Sequence, residues 1–498
     1  MNVRVEQGAI QSAQADTVIV NLFEGVRKPS GATGAVDQAL DGWITELAEA
    51  GDVTGKLGEV TVLYPREAHP IKRVLIAGLG KRDDFESEQI RKAAAHAAVK
   101  ARKLGARRLA SIVHGAGVGG LSARDAAKAT VEGTILSLYR YGPDRNNSDL
   151  HDPDEFIVIE FDEDKLTELR AGVQAGEAVA EGTSLARDLV NMPPNTATPS
   201  YLAAVAQELA EDHHLKLTVG DRSWAESLSM GAYLAVAKGA GEEPKFIVLE
   251  HNPDASEKAP IVIVGKGITF DTGGISLKSS SGMPAMKSDM AGAAAVLGTI
   301  KASAKLGLKN RLIAIAPCTE NMPDAKAYRP SDVITAMNGK TIEVVSTDAE
   351  GRLILADALE YAARFKPRLV IDLATLTGSC VVALGEGMAA GLFANDEGLR
   401  DDLVAAGTAA RERLWPLPLW PDYRKTIKSE VADMKNSGGR SGGVATSAVF
   451  LEAFTSYPWA HLDIAGMALA KKATPYTPKG GTGFGVRLLS HYLASLES

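Results

Sequence analysis

Apolar residues along this chain fall into short unbroken runs separated by stretches of helical spacing. In the first third, Glu59-Val60-Thr61-Val62-Leu63, Arg73-Val74-Leu75-Ile76-Ala77, Leu109 to Val113 and Phe156-Ile157-Val158-Ile159 predict strands, and the alanine-rich segment Gln89 to Leu104 predicts a helix. Leu166, Leu169, Val173, Ala180, Leu185 and Leu189 recur at helical spacing until Pro193-Pro194 stops them. Gly172, Gly176 and Gly182 fall inside that pattern and weaken the signal for an unbroken helix. Thr198-Pro199 then opens a helix. Phe246 to Leu249, Ile261 to Val264, Leu312 to Ala316 and Leu369 to Leu373 are apolar at every position, as strands covered on both faces are. The fold class predicted is α/β. Residues 1–162 form a small N-terminal α/β domain, 163–192 a linker helix, and 193–498 a larger C-terminal domain whose central mixed, largely parallel sheet is flanked by helices.

Two polar or glycine-rich stretches separate elements in the first third. Gly115-Ala116-Gly117-Val118-Gly119-Gly120 has the form of a dinucleotide-binding fingerprint after a strand, but no acidic residue ends a following strand to hold a ribose, so it reads as a turn. Asp144 to Pro153 reads as a surface excursion.

Composition narrows the class without naming a function. The chain has 498 residues, 45% hydrophobic and 23% charged, with a formal net charge of -8. Broad electrostatic binding of nucleic acid is disfavoured by that charge, and no apolar run is long enough to span a bilayer. The first residues lack the basic start and apolar core of a secretion signal, so a cytoplasmic protein is expected. Cys318 and Cys380 are the only cysteines, which excludes a disulfide framework and a thiolate zinc cluster. Both read as buried thiols. The adjacent His213-His214 reads as the end of an exposed helix.

Chemistry concentrates in two places. Ser346-Thr347-Asp348-Ala349-Glu350-Gly351-Arg352-Leu353 puts two carboxylates and a guanidinium between the strand-like Thr341 to Val345 and a helix continuing through Leu355, Leu359 and Ala362. A second stretch, Gly265-Lys266-Gly267-Ile268-Thr269-Phe270-Asp271-Thr272-Gly273-Gly274-Ile275-Ser276-Leu277-Lys278, again follows an apolar strand, and Met286-Lys287-Ser288-Asp289-Met290 lies just beyond it. Asp289 is placed to open the helix Met290 to Ala304, where a carboxylate is stabilised even without metal. Asp271, Asp289, Asp348 and Glu350 together carry four negative charges, which would repel or take up protons unless cations joined them. Two divalent ions would balance them.

The first stretch resembles the signature Asn-Thr-Asp-Ala-Glu-Gly-Arg-Leu of the leucyl aminopeptidases, also called cytosol aminopeptidases, with Ser346 in place of the first Asn. The resemblance extends from about residue 190 to the C-terminus, through Asn191-Met192-Pro193-Pro194-Asn195, Met230 to Val236, Glu320-Asn321-Met322-Pro323, Ala374 to Gly378, Trp459-Ala460-His461-Leu462-Asp463 and Gly483 to Leu488. It implies a two-metal exopeptidase that removes N-terminal, leucine-like residues from peptides through a hydroxide held between the metals. Lys266, Asp271, Asp289 and Glu350 would hold one ion, and Asp271, Asp348 and Glu350 the other. Mn²⁺ or Zn²⁺ is implied, with Mg²⁺ or Co²⁺ as alternatives in one site. Lys278 would stabilise the oxyanion, and Arg352 would hold a bicarbonate acting as base. Thr375, Leu376 and Gly378 would contact the peptide backbone, Met286 would line the first side-chain pocket, and the loop Asn436 to Gly443 would wall it. The resemblance also implies a homo-hexamer. His461 reads as packed rather than ligating. The competing readings are a two-metal phosphoesterase and an additional non-catalytic DNA-binding role.

Overall fold

The computed structural model describes residues 1–65, 71–115, 120–142, 150–255 and 258–497. Most of Gly115–Gly120 and of the Asp144–Pro153 excursion lies outside the described residues. The chain divides into two compact units, one of Met1–Ala180 with Lys472–Pro478, the other of Glu181–Lys471 with Lys479–Ser498.

The first unit is built on a six-stranded sheet. Its spatial order is Asn2–Gln7, Glu155–Glu160, Arg108–Ile112, Thr17–Leu22, Arg73–Gly78, Val60–Leu63, and every neighbouring pair is parallel except the last. Sequence reading found four of these strands and missed Asn2–Gln7 and Thr17–Leu22. Asn2–Gln7 has no fully buried residue, so its alternation Val3, Val5 is diluted by Arg4 and Glu6. The predicted helix runs Ser87–Lys103 and opens with a reciprocal cap between Glu86 and Gln89.

The second unit holds a nine-stranded mixed sheet. Ile261–Gly265 lies at its centre, parallel to both Leu312–Asn321 and Leu369–Ala374. Side chains alternate across a strand. Ile261 and Ile263 therefore pack with the helix Ala291–Leu306, while Val262 and Val264 pack with the helix Gly351–Ala363 on the other face. That two-sided cover is why the run shows no polar alternation, and each such side chain contributes roughly 1.5–3 kcal/mol on burial. Both helices thus present their N-terminal ends at the carboxyl edge of the sheet, where Lys266 follows the strand.

The helix Leu166–Asn191 is continuous despite its glycines. A Cβ at Gly176 would stand 2.7 Å from the carbonyl oxygen of Lys128, so this glycine permits close helix contact rather than a break. Thr198 caps the helix Pro199–His213 as its sequence implies. One strand differs from expectation. Only Thr341–Glu343 pairs, and it does so in a separate three-stranded sheet with Val333–Thr335 and Met434–Lys435. The Ser346–Glu350 segment therefore hangs between this small sheet and the helix Gly351–Ala363.

Candidate metal centre

Lys266 lies directly beyond Ile261–Gly265, and Asp271 ends the next strand, Gly267–Asp271. The strand Leu312–Asn321 carries Asn321 alongside, and Glu350 is the residue before the helix Gly351–Ala363. Asp289 does not cap the following helix, which runs Ala291–Leu306 with Met290 before it and no side-chain cap. Its carboxylate turns instead towards Lys266 and accepts from Thr375 Oγ1 at 2.7 Å.

Two lysines tie the four carboxylates together. Lys266 Nζ, whose side chain is 3% exposed, lies 2.8 Å from Asp289 Oδ1 and 2.8 Å from Glu350 Oε1, and donates to the carbonyl of Thr375 at 3.0 Å. Lys278 Nζ lies 2.8 Å from Asp271 Oδ2 and also pairs with Asp348. Asp271, Asp348 and Glu350 each offer an oxygen within 4.8 Å of the others. Asp348 and Lys278 are the more exposed members, so the centre opens on their side.

Electrostatics here are those of a site short of positive charge. Burial raises the carboxyls of Asp271, Asp289 and Asp348 above their ordinary range, and neighbouring carboxylates add to the shift at each. Burial alone would lower Lys266 and Lys278. The surrounding carboxylates outweigh it and raise both, so both are ammonium groups in this state. Glu350 Oε2 is buried with no hydrogen-bond partner among the described residues. Four carboxylates against two ammoniums, with a buried oxygen to spare, form an oxygen-rich donor set that fits divalent cations. A dication would remove the carboxylate field that keeps Lys266 protonated and so favour its neutral, electron-donating form.

The loops are stitched by residues that sequence reading did not single out. Asn321 Nδ2 donates to Asp271 Oδ1 at 2.8 Å and to the carbonyl of Thr347 at 3.0 Å, and Tyr328 Oη reaches the same carbonyl at 2.8 Å. Thr347 Oγ1 donates to the carbonyl of Gly273 at 2.6 Å and accepts from Ser276 N at 2.8 Å. Gly273 and Gly274 have positive φ, and a Cβ at Gly273 would lie 2.9 Å from Asp348 Oδ1, so only glycine allows this approach. Asn321 stands inside Glu320-Asn321-Met322-Pro323, one of the motifs that carry the family resemblance. Its role was not visible because its partners are 26 to 50 residues away.

Arg352, in the first turn of its helix, is buried, and one Nη donates to the carbonyl of Asn436 at 2.7 Å. Burial pushes its guanidinium down to about 10, and its Nε has no partner among the described residues. An anion would correct both conditions. Of the remaining predicted residues, Thr375 and Leu376 follow the strand Leu369–Ala374, and Gly378 opens the helix Gly378–Leu384. Leu376 N is engaged by Asp463 at 3.2 Å, which leaves its carbonyl for other contacts. Met286 is half-buried in the 3₁₀ turn Met283–Ser288. His461 is buried with Nδ1 2.6 Å from Asp372 Oδ1, and Cys318 and Cys380 are buried thiols.

Four clustered carboxylates at the carboxyl edge of an α/β sheet, one with a buried oxygen unpartnered among the described residues, form the donor set of a metal-dependent enzyme. The chain belongs to the cytosol aminopeptidase family: residues 184–490 match the family's catalytic domain and 19–146 its N-terminal domain. Probable cytosol aminopeptidases from Geobacter sp. and Roseiflexus castenholzii are 46% and 44% identical, covering 92% and 98% of this chain and the same shares of their own. Among solved structures, the bottromycin maturation enzyme BotP in complex with Mn superposes with a TM-score of 0.85 at 36% identity, covering 97% of this chain and 100% of that one. A mutant of tomato leucine aminopeptidase gives a TM-score of 0.85 at 33% identity, covering 99% and 96%. The chain is accordingly a metal-dependent aminopeptidase, and the phosphoesterase alternative has no support.

Proposed function

We propose that this chain removes leucine-like N-terminal residues from peptides at the centre formed by Lys266, Asp271, Asp289, Asp348 and Glu350. The observation that carries this reading is the pair of lysine-bridged carboxylate sets, Lys266 with Asp289 and Glu350, and Lys278 with Asp271 and Asp348. Lys266, Asp271, Asp289 and Glu350 would hold one ion, and Asp271, Asp348 and Glu350 the second, with Mn²⁺ or Zn²⁺ the expected occupants. When bound, such ions supply Lewis acidity and lower the pKa of water.

The chain's own residues supply the rest. Lys278, protonated and on the open side, donates to the scissile carbonyl oxygen as charge develops there. Arg352 holds a planar anion, bicarbonate by family resemblance, in the position its unpartnered Nε leaves. Asn321 fixes the carboxylate of Asp271. Thr375, Leu376 and Gly378 align the peptide, and Met286 lines an apolar pocket for the first side chain. Such a pocket separates leucine from similar residues only weakly. A homo-hexamer acting in the cytoplasm completes the proposal; no helix among the described residues is long and apolar enough to cross a membrane.

The test is metal removal. EDTA-treated protein, with metal content verified by mass spectrometry, should lose hydrolysis of leucine p-nitroanilide and regain it with Mn²⁺ or Zn²⁺. Full activity in verified metal-free protein would sink the proposal.

A further inference from the structure

Asn436 is the first residue after the short strand Met434–Lys435, and its side chain is fully buried. Its main-chain N–H adds one rung to the pairing with Thr341–Glu343, donating to the carbonyl of Glu343 at 2.9 Å. Beyond Glu343 the neighbouring chain leaves the sheet, and the Asn436 carboxamide takes over where a strand would have continued. Oδ1 accepts from Val345 N at 2.7 Å and from Ser346 N at 3.3 Å. Nδ2 donates to the carbonyl of Ser346 at 2.7 Å and to that of Ala349 at 3.4 Å. Two donors and two acceptor positions are all that a carboxamide has, and all are used. On its other side, the carbonyl of Asn436 receives Arg352 Nη1 at 2.7 Å.

One residue therefore grips the segment carrying Asp348 and Glu350 through its side chain and Arg352 through its main chain. We infer that Asn436 is a positioning residue for Arg352, holding the guanidinium and the 345–350 segment in a single register. This rests on Arg352 acting as an anion holder, as proposed above. Asparagine suits the position because it offers donors and acceptors at the same short reach. An aspartate there would face the carbonyls of Ser346 and Ala349 with a carboxylate that cannot donate, and Arg352 would shift with the displaced main chain. A misplacement of about 1 Å near reacting groups can cost ~10²-fold in rate.

A double-mutant cycle tests this. Asn436→Asp, nearly the same shape as the native residue, should lower kcat by about 10- to 100-fold with KM little changed and both ions still bound at saturating Mn²⁺. In an Arg352→Ala background the same change should cost clearly less than in the parent, because the part of the loss that acts through the guanidinium is already gone. Asn436→Ser, which adds no charge, carries the same cycle if the aspartate variant does not fold. An equal fold-loss in both backgrounds, an unchanged kcat, or loss of metal at saturation would each overturn the inference. Undiminished kcat/KM in Arg352→Ala alone would instead sink the role proposed for Arg352, and is read independently of Asn436.

Discussion

Replacing Gly351 by alanine should disable the metal centre while leaving the fold intact. Gly351 is the first residue of the helix Gly351–Ala363, and a Cβ there would stand 2.7 Å from Lys266 Nζ and 2.8 Å from its Cδ, with Cε nearer still. Ordinary contact begins near 3.4 Å, so the ammonium end must retreat by about 0.7 Å and Cε by more. Lys266 Nζ now lies 2.8 Å from both Asp289 Oδ1 and Glu350 Oε1, and a buried side chain cannot retreat and keep both contacts. The colliding atoms belong to a side chain rather than to main chain, and alanine favours a helix over glycine by up to ~1 kcal/mol, so global stability should stay within about 1 kcal/mol of the parent. With Lys266 as a ligand, as proposed, displacing it by about this distance should lower kcat/KM ~10²-fold and reduce bound metal from two ions to one. Metal content at graded Mn²⁺, hydrolysis of leucine p-nitroanilide and thermal unfolding are measured on one preparation. Two tightly bound ions with parental kcat/KM would refute the assignment of Lys266 as a ligand. A large fall in melting temperature would show that Gly351 serves packing instead.

Asp357, buried in the same helix, accepts from the main-chain N–H groups of Ala232, Tyr233 and Met337, and burial raises its carboxyl from 3.8 to about 7. Because the folded state holds a proton that the unfolded chain releases, its contribution is fullest below about 4 and is lost as pH rises to about 7, at most ~4 kcal/mol. Asp357→Ala should flatten that decline and, at about pH 4 where the linkage cost is small, destabilise the protein by about 3 kcal/mol through the amides left unpaired; an unchanged pH slope in urea unfolding would contradict the shift. With Lys278 as the cation that meets the oxyanion, kcat/KM of metal-saturated enzyme should climb from neutral pH to an alkaline maximum and fall where Lys278 loses its proton. Lys278→Arg should retain more activity than Lys278→Ala; an acidic optimum, or equal activity in the two variants, would count against the oxyanion role. Ser346→Asn should alter kinetics on some substrates and leave metal content unchanged, since the contact of the Ser346 hydroxyl among the described residues is a hydrogen bond accepted from Asp348 N at 3.2 Å. A large drop in bound metal would assign Ser346 a closer part in the centre.

The candidate residues stood out in the sequence because candidacy is set by side-chain type: a carboxylate, amine or guanidinium at Asp271, Lys266 or Arg352 has no apolar substitute. The two-sided burial of Ile261–Gly265 was legible too, since a strand covered on both faces leaves no polar position to interrupt the run. Tertiary structure alone decided how the site is held. Asn321 reaches Thr347 across 26 residues and Asp271 across 50, and Asn436 reaches Val345 across 91. No local pattern distinguishes such an asparagine from one in an ordinary turn. The same holds for Asn2–Gln7, whose half-polar pattern becomes a strand only because Glu155–Glu160 pairs with it from the far end of the domain. Local sequence specifies which groups can do the chemistry, but their register depends on hydrogen bonds between segments that only the folded chain brings together.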